Sequence, residues 1–551
     1  LQQARVWVDG FSGFTPEEFQ VLAALLQTAA RVEVTLCLDA GELNRPLVET
    51  DLFHPTRETY VKLRDLAVAA GARLEPPLVL DDPQALPPRF AHARELAHLE
   101  RCFFRYPTAA WARPAPGLSL VAAANRRTEV EAAARRIISL AREEGLRWRE
   151  MALVVRDLEL YHDLVATVFA DHGIPCFIDR KRPVLHHPLA QLALAALEVV
   201  TSNWSYEAVF RCLKTDLFPL SRPEVDRLEN YVLAFGVRGA TWQRPQDWDF
   251  PARAGGGRNA GAAPWEGVDD LRRQVTACLA PLTSACRRGE KVSGAALTAA
   301  LWHFLDGLKV GETLAGWAKE AEARGDLAAA QEHSQVWTRF LELLDELVIG
   351  LGDTPLTPEE YGEILASGLE SLRLGLVPPS LDQVLVGGLE RSRHPNVRAA
   401  FVLGVSDGVL PGRVSEDAVF TDREREELRA AGLELAPTSR QRQLHEQYLT
   451  YIALTRAGER LWVSFPLADE EGRALAPSRI ITRLRELFPA ALETYAAPEP
   501  SGAVAEDLAF LTSPARAAAY LAGQLRLSRA GRPLSPLWRA VQRYLLAAPA
   551  L

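Results

Sequence analysis

The 551 residues contain no GxxxxGK[ST] phosphate loop, no CxxC pair and no apolar run long enough to cross a bilayer. Each absence removes a class of function. Without the Gly-rich loop, no ordinary phosphate cradle lies within this stretch. Six cysteines, Cys37, Cys102, Cys176, Cys212, Cys278 and Cys286, are scattered without metal-ligand spacing. They read as reduced, mostly buried thiols of a cytoplasmic protein rather than as a zinc or iron–sulfur site. No charged n-region followed by an apolar core opens the chain, so nothing points to a membrane. Basic charge is not in excess either: 62 Lys and Arg stand against 71 Asp and Glu, a formal net charge of −9. That balance argues against wholesale coating of nucleic acid and leaves room only for a local basic groove.

What is present is a globular balance, 48% hydrophobic and 24% charged, at a length that predicts several domains. The chain opens on Leu1 almost directly before a strand and is read as a piece of a longer protein. Val6-Trp-Val8 predicts a buried strand ending in Asp9-Gly10. Thr15-Pro16-Glu17-Glu18 predicts a helix start with a capping box, and Val32–Leu38 a second strand ending in Asp39. Strand, helix, strand in so short a span is a βαβ unit, hence a parallel sheet. An acid such as Asp9 at the carboxyl end of a parallel strand is where nucleotide-binding α/β proteins hold magnesium.

A second parallel unit follows: strands at Leu118–Val121, Met151–Val155 and Ile174–Ile178, with helices at Thr128–Glu144 and Tyr161–Asp171 between them. From about 190 to 375 helical spacing prevails. A Gly-rich loop at 254–264 interrupts it, preceded by Trp242, Trp248 and Phe250, whose expected role is packing rather than base stacking. The α/β pattern then returns at Gln383–Val386 and Val397–Gly404. An amphipathic helix carrying Leu444, Tyr448, Leu449 and Ile452 leads to the strand Leu461–Phe465. Arginines crowd 126–156, with Glu129, Glu131, Glu143 and Glu144 as expected partners on solvated helix faces. His186-His187 lack a third ligand nearby in sequence and read as interface or surface histidines.

The letters narrow this further. Tyr451-Ile-Ala-Leu-Thr-Arg-Ala-Gly-Glu-Arg-Leu-Trp-Val-Ser-Phe465 resembles motif VI of UvrD-like superfamily 1 helicases, and the following Pro466–Ser478 narrows the resemblance to the AddB family. Val6–Asp9 falls where those helicases carry motif II, with Gly10 in place of the water-activating Glu. Gly388-Leu389-Glu390 resembles motif V, with Gly387 in place of its Lys. The resemblance implies an α/β protein of RecA-like parallel-sheet domains, the second split by a large helical insertion. It assigns 1–116 to the first RecA-like domain, 117–190 and 379–495 to the second, 191–378 to the insertion, and 496–551 to a helical linker. It further implies a vestigial nucleotide site at Asp9, Glu390 and Arg456, DNA contacts at Arg391 and Arg393, and neither a catalytic nor a metal-holding residue. Mg and ATP belong to the implied full-length protein, and an iron–sulfur cluster only outside this stretch, beside an absent nuclease domain. The implied partners are AddA and single- and double-stranded DNA, in resection of double-strand breaks. Two alternatives remain open: an active ATP-driven translocase, and a scaffold for AddA that does not bind DNA.

Overall fold

The computed structural model describes residues 2–39, 41, 43, 45–80, 86–180, 182–248, 265–286, 289–375, 381–390, 397–416, 419–433, 435–491 and 493–547. The chain divides into two units, Leu1–Asp179 with Ser380–Leu551, and Arg180–Pro379.

In the first unit, β1 (Arg5–Val8) and β2 (Arg31–Val34) pair in parallel, Val6 opposite Val32. Between them runs α1 (Pro16–Thr28), started by the expected capping box: Glu18 N donates to Thr15 Oγ1 (3.3 Å) and Thr15 N to Glu18 Oε2 (2.8 Å). The expectation of a buried strand fails here. Among the described residues β1 pairs with β2 alone, and Trp7 is 65% exposed. Two helices follow, α2 (His54–Ala69) and α3 (Arg94–Cys102), in a stretch whose prolines give no helical signal.

Among the described residues the main sheet has seven strands: β3 (Leu118–Asn125), β4 (Met151–Val155), β5 (Cys176–Ile178), β6 (Val384–Gly388), β7 (Ala399–Leu403), β8 (Arg460–Ala468) and β9 (Glu493–Ala496). Their order is β9-β3-β8-β7-β4-β6-β5, and every pairing is parallel. Parallel sheets are covered on both faces, which is why β4 reads as an unbroken apolar run. Its Ala152 and Val154 enter a core with α3, α7 (Ser439–Thr455) and α8 (Arg479–Leu487). Its Met151, Leu153 and Val155 enter the opposite core with α4 (Arg126–Glu143) and α5 (His162–His172). The alternation follows the two-residue period of a strand. Between β7 and α7 lies α6 (Asp422–Ala430), and after β9 come α9 (Pro514–Arg529) and α10 (Pro536–Ala547). The fold is α/β with a RecA-like parallel sheet, and residues 180–379 are inserted between β5 and β6.

The second unit is mainly helical, with helices such as Pro188–Thr201, Arg222–Phe235 and Leu327–Leu351 around one core. Trp242 and Trp248 belong to that core: Trp242 stacks on Trp204, Trp248 on Tyr231, and Arg272 reaches the Trp248 ring. Phe250 and the Gly-rich loop lie outside the described residues. Among the described residues no helix is long and apolar enough to cross a membrane.

Candidate functional site

Helix α7 organises the candidate site because it spans the sheet from one edge to the other. Thr438 caps it through a box with Gln441. Strands β4, β6 and β7 end at the carboxyl edge of the sheet, and there α7 carries Glu446, only 4% exposed. Arg156, the residue after β4, donates Nη2 to Glu446 Oε1 (2.6 Å) and Nε to Oε2 (3.1 Å). Gly412 N, in the loop after β7, donates to the same carboxylate at 2.7 Å. Glu390, two residues past β6, meets Arg156 Nη2 at 3.1 Å. One guanidinium thus faces two carboxylates, so these groups together favour a donor or cation rather than a phosphate. Burial pushes the adjacent His445 below the ordinary histidine range, against the pull of Glu390 and Glu446.

Arg456 stands ten residues beyond Glu446, about 15 Å along the helix axis at the α-helical rise. It precedes β8 and therefore lies at the amino edge. Here the 3₁₀ turn Pro88–Phe90 brings Arg89, whose Nη1 donates to the Thr455 carbonyl at 3.1 Å. Gly458 makes this approach possible, since a Cβ there would sit 2.9 Å from the Arg89 carbonyl oxygen. Burial, helped by the neighbouring Arg89, lowers the Arg456 guanidinium to about 10. The exposed Arg89 thus adds positive charge near the largely desolvated Arg456, and together they favour an anion at this edge. On the same helix Tyr451 donates its hydroxyl to Glu100 (3.1 Å), and Phe53 meets the Tyr451 ring edge-on.

Asp9, exposed at the end of β1, accepts from the Thr35 hydroxyl. The three residues read as one nucleotide site therefore fall in different settings: Glu390 at the carboxyl edge, Arg456 at the amino edge, and Asp9 on the separate two-stranded sheet. Arg391 and Arg393 lie outside the described residues. Among the described residues no three His, Cys, Asp or Glu groups gather as metal ligands. The cysteines are free thiols, with Cys212 and Cys286 buried and Cys37 exposed. His187 is buried rather than superficial. Its Nδ1 accepts from Leu189 N (3.2 Å) and caps helix Pro188–Thr201, and its Nε2 meets His333 Nδ1 at 3.1 Å.

The arginine-rich segment also departs from the solvated-face expectation. Glu129 is fully buried and accepts from Gly404 N (2.9 Å), Ser464 Oγ (2.6 Å) and Tyr161 OH (2.6 Å). Burial raises its pKa against those three hydrogen bonds. It fastens α4 to the end of β7, to the middle of β8 and to the start of α5. Sequence reading missed Glu446, Arg89 and Glu129 alike, because their partners lie 290 or more residues away (Arg156 to Glu446 and Arg89 to Thr455) or are shared among three elements.

Residues 1–100 match the family description "ADDB, N-terminal", and residues 503–550 match "ATP-dependent helicase/deoxyribonuclease AddB fifth domain". Proteins named as a subunit of an ATP-dependent helicase/deoxyribonuclease align along nearly the whole chain. The one from Moorella thermoacetica is 54% identical over 99% of this chain and 47% of its own length. That from Desulforudis audaxviator is 54% identical over 99% and 48%, and that from Symbiobacterium thermophilum 48% identical over 100% and 48%. The chain spans about half the length of these relatives, and over that span it belongs to the AddB family.

Proposed function

We propose that the chain is the DNA-engaging, helicase-like part of the AddB component of a two-component, ATP-dependent helicase–nuclease that resects double-strand breaks for recombination. AddA is the proposed partner and motor, and single- and double-stranded DNA the proposed substrates. In this reading the nucleotide site of this chain is eroded. Residues 1–116 close the first RecA-like domain, 117–190 and 379–495 form the second, and 496–551 lead towards a nuclease domain outside this stretch, where an iron–sulfur cluster belongs.

One observation carries the reading: Arg89, bonded to the Thr455 carbonyl, lies near Arg456 at the amino edge, while Glu390 is spent on Arg156 at the carboxyl edge. Asp9 is followed by Gly10, which has no group to activate water. The residues present do not make a full Mg·ATP site, since a lone carboxylate on a two-stranded sheet and an arginine pair are its only candidate parts among the described residues. Mg and ATP are accordingly assigned to the complete protein, and no hydrolytic step is drawn through these residues. Arg456 and Arg89 would hold a phosphate by charge and by planar guanidinium donors.

The test uses the full-length protein together with AddA. Binding to tailed duplex should weaken steeply with salt, as phosphate contacts require. Unwinding should survive Arg456→Ala while AddA's own site is intact. Loss of all unwinding in that variant would revive the translocase, and salt-insensitive or absent DNA binding would leave only the scaffold.

A further inference from the structure

A second cluster of charge lies on the opposite face of the sheet from α7, where α4 and the end of α5 meet the start of α9. It has no part in the function proposed above. His172, the last residue of α5, is 5% exposed, and neither of its ring nitrogens has a hydrogen-bond partner among the described residues. Three neighbouring groups leave further buried polar atoms unpartnered: Arg135 Nη1 on α4, Arg516 Nε on α9, and Thr512 Oγ1 just before α9. Native interiors satisfy nearly all buried donors, so five unpartnered atoms in one seam call for a ligand of their own.

The surrounding charge indicates its sign. Arg135 lies over the Phe510 ring at 4.3 Å and donates Nη2 to the Ala497 carbonyl. Arg516 meets Asp171 at 3.4 Å, Glu131 at 3.6 Å and the Tyr520 hydroxyl at 3.0 Å. Arg142 donates to the carbonyls of Leu511 and Thr512. Three permanent cations thus face two carboxylates, one of them, Glu131, already shared with Arg127 at 3.2 Å. The N-terminus of α9, capped by Ser513, adds its partial positive charge. A water molecule would satisfy hydrogen bonds here but would leave the excess cation uncompensated.

A hollow adjoins the seam at His172. His172 forms one wall of this hollow of about 410 Å³, bounded further by Trp148, Arg147, Arg142 and Asp382. Arg147 and Arg142 are exposed at its rim, so the mouth is basic, with Asp382 the only acid bordering it among the described residues. A hollow of this size accepts a small molecule with a body behind its charged group.

We propose that this seam binds a phosphate-class oxyanion, free or carried by a small nucleotide, held by Arg135, Arg516, Thr512 and His172 and admitted through the hollow. Burial and the facing Arg516 and Arg135 hold His172 down at about 4, against Asp171. An anion at the seam would offset both arginines and raise that value.

The experiment titrates the full 551-residue chain with sodium phosphate and, separately, with deoxyadenosine monophosphate, each against sodium chloride of equal ionic strength. Two readouts are followed: the thermal midpoint, which rises as log ligand once a folded-state site fills, and the His172 ring resonance against pH. The expected result is a saturable rise beyond that in chloride, a His172 titration moved to higher pH, and affinity about tenfold or more weaker in His172→Gln and Arg516→Gln, or at least about 1.4 kcal/mol. Response to phosphate identifies the free ion as sufficient; response to the nucleotide alone identifies the carried group. If both ligands act only as chloride does, the seam holds buried water and the proposal fails. An undiminished response in His172→Gln, with His172 unmoved, marks an adventitious ion only and also overturns it. Should Arg516→Gln not fold, His172→Gln and the wild-type resonance decide.

Discussion

Glu446 and Arg156 are 290 residues apart in sequence and 2.6 Å apart in space. The pair ties α7 to the end of β4, and the carboxylate also takes Gly412 N. Removing the Glu446 carboxylate leaves Arg156 with Glu390 alone and the Gly412 N–H without its acceptor, a larger loss than the pair's own net contribution. Glu446→Ala should therefore destabilise the first unit by about 2–4 kcal/mol, the lower part of that range reflecting the partial exposure of Arg156. Urea unfolding checks it: the midpoint should fall at an unchanged slope, and a shift below about 0.5 kcal/mol would show that water replaces the carboxylate without cost.

Gly404 leads to a second prediction. It leaves β7 with φ of +71°, and a Cβ there would lie 2.8 Å from the Tyr161 hydroxyl, which itself donates to Glu129. Gly404→Ala combines an unfavourable left-handed backbone with displacement of that hydroxyl, so a loss of about 2–4 kcal/mol is expected. Tyr161→Phe, which removes the hydroxyl and its hydrogen bond, should cost only about 1–2 kcal/mol by itself. In Tyr161→Phe the alanine at 404 should then become less harmful. A double-mutant cycle followed by thermal unfolding measures the coupling, and strict additivity would break the link between the two residues.

Periodicity and capping chemistry made much of this fold legible. Met151–Val155 and Pro536–Ala547 lie where their patterns place them, and the box at Thr15–Glu18 forms as its letters require. Elements with weak local signals were not legible. Strand β9 is four residues at a sheet edge, all but the last of them exposed, and α3 follows a run of prolines that reads as turns. The site was less legible than the fold for a different reason. Motif letters placed Arg456 on the helix end where it stands, but Arg89 faces it through tertiary packing alone. Glu390 matched a short motif whose letters carry no information about which edge of the sheet they reach. Glu129 looked like one more acid among arginines, since spacing cannot distinguish a solvated carboxylate from one receiving three hydrogen bonds.

His187 makes stability pH-dependent. Burial, helped by His333, lowers it to about 4, below the ordinary 6.5. Between those values the unfolded chain binds the proton and the folded chain does not, so stability rises with pH across the window. The contribution is whole above about pH 6.5 and is lost as pH falls towards 4, by at most about 3 kcal/mol. His187→Gln should reduce the slope of the stability profile between about pH 7 and 5, with the similarly lowered His172 supplying the remainder, while retaining an acceptor for Leu189 N. Guanidinium unfolding at several pH values in the two proteins checks it, and parallel profiles would exclude His187 as the source.

Arg456 separates folding from function. Its guanidinium is lowered to about 10 by burial and by Arg89, so the protein environment itself disfavours the charge it holds. A residue kept where its charge is disfavoured is a candidate to act on something that enters, and a neutral variant of the same length separates that role from a structural one. Arg456→Met keeps the length and apolar packing of the side chain. Its stability should stay within about 1 kcal/mol of the parent, because relief of the Arg89 repulsion offsets lost contacts. Arg89→Met, in contrast, removes the donor to the Thr455 carbonyl and should cost about 1 kcal/mol or more. Chemical unfolding of both variants distinguishes the roles. A loss above about 2 kcal/mol in Arg456→Met would make that arginine a structural tie between α7 and the turn at Arg89. Retained stability with weakened nucleotide or phosphate binding in the full-length protein would make it a ligand contact.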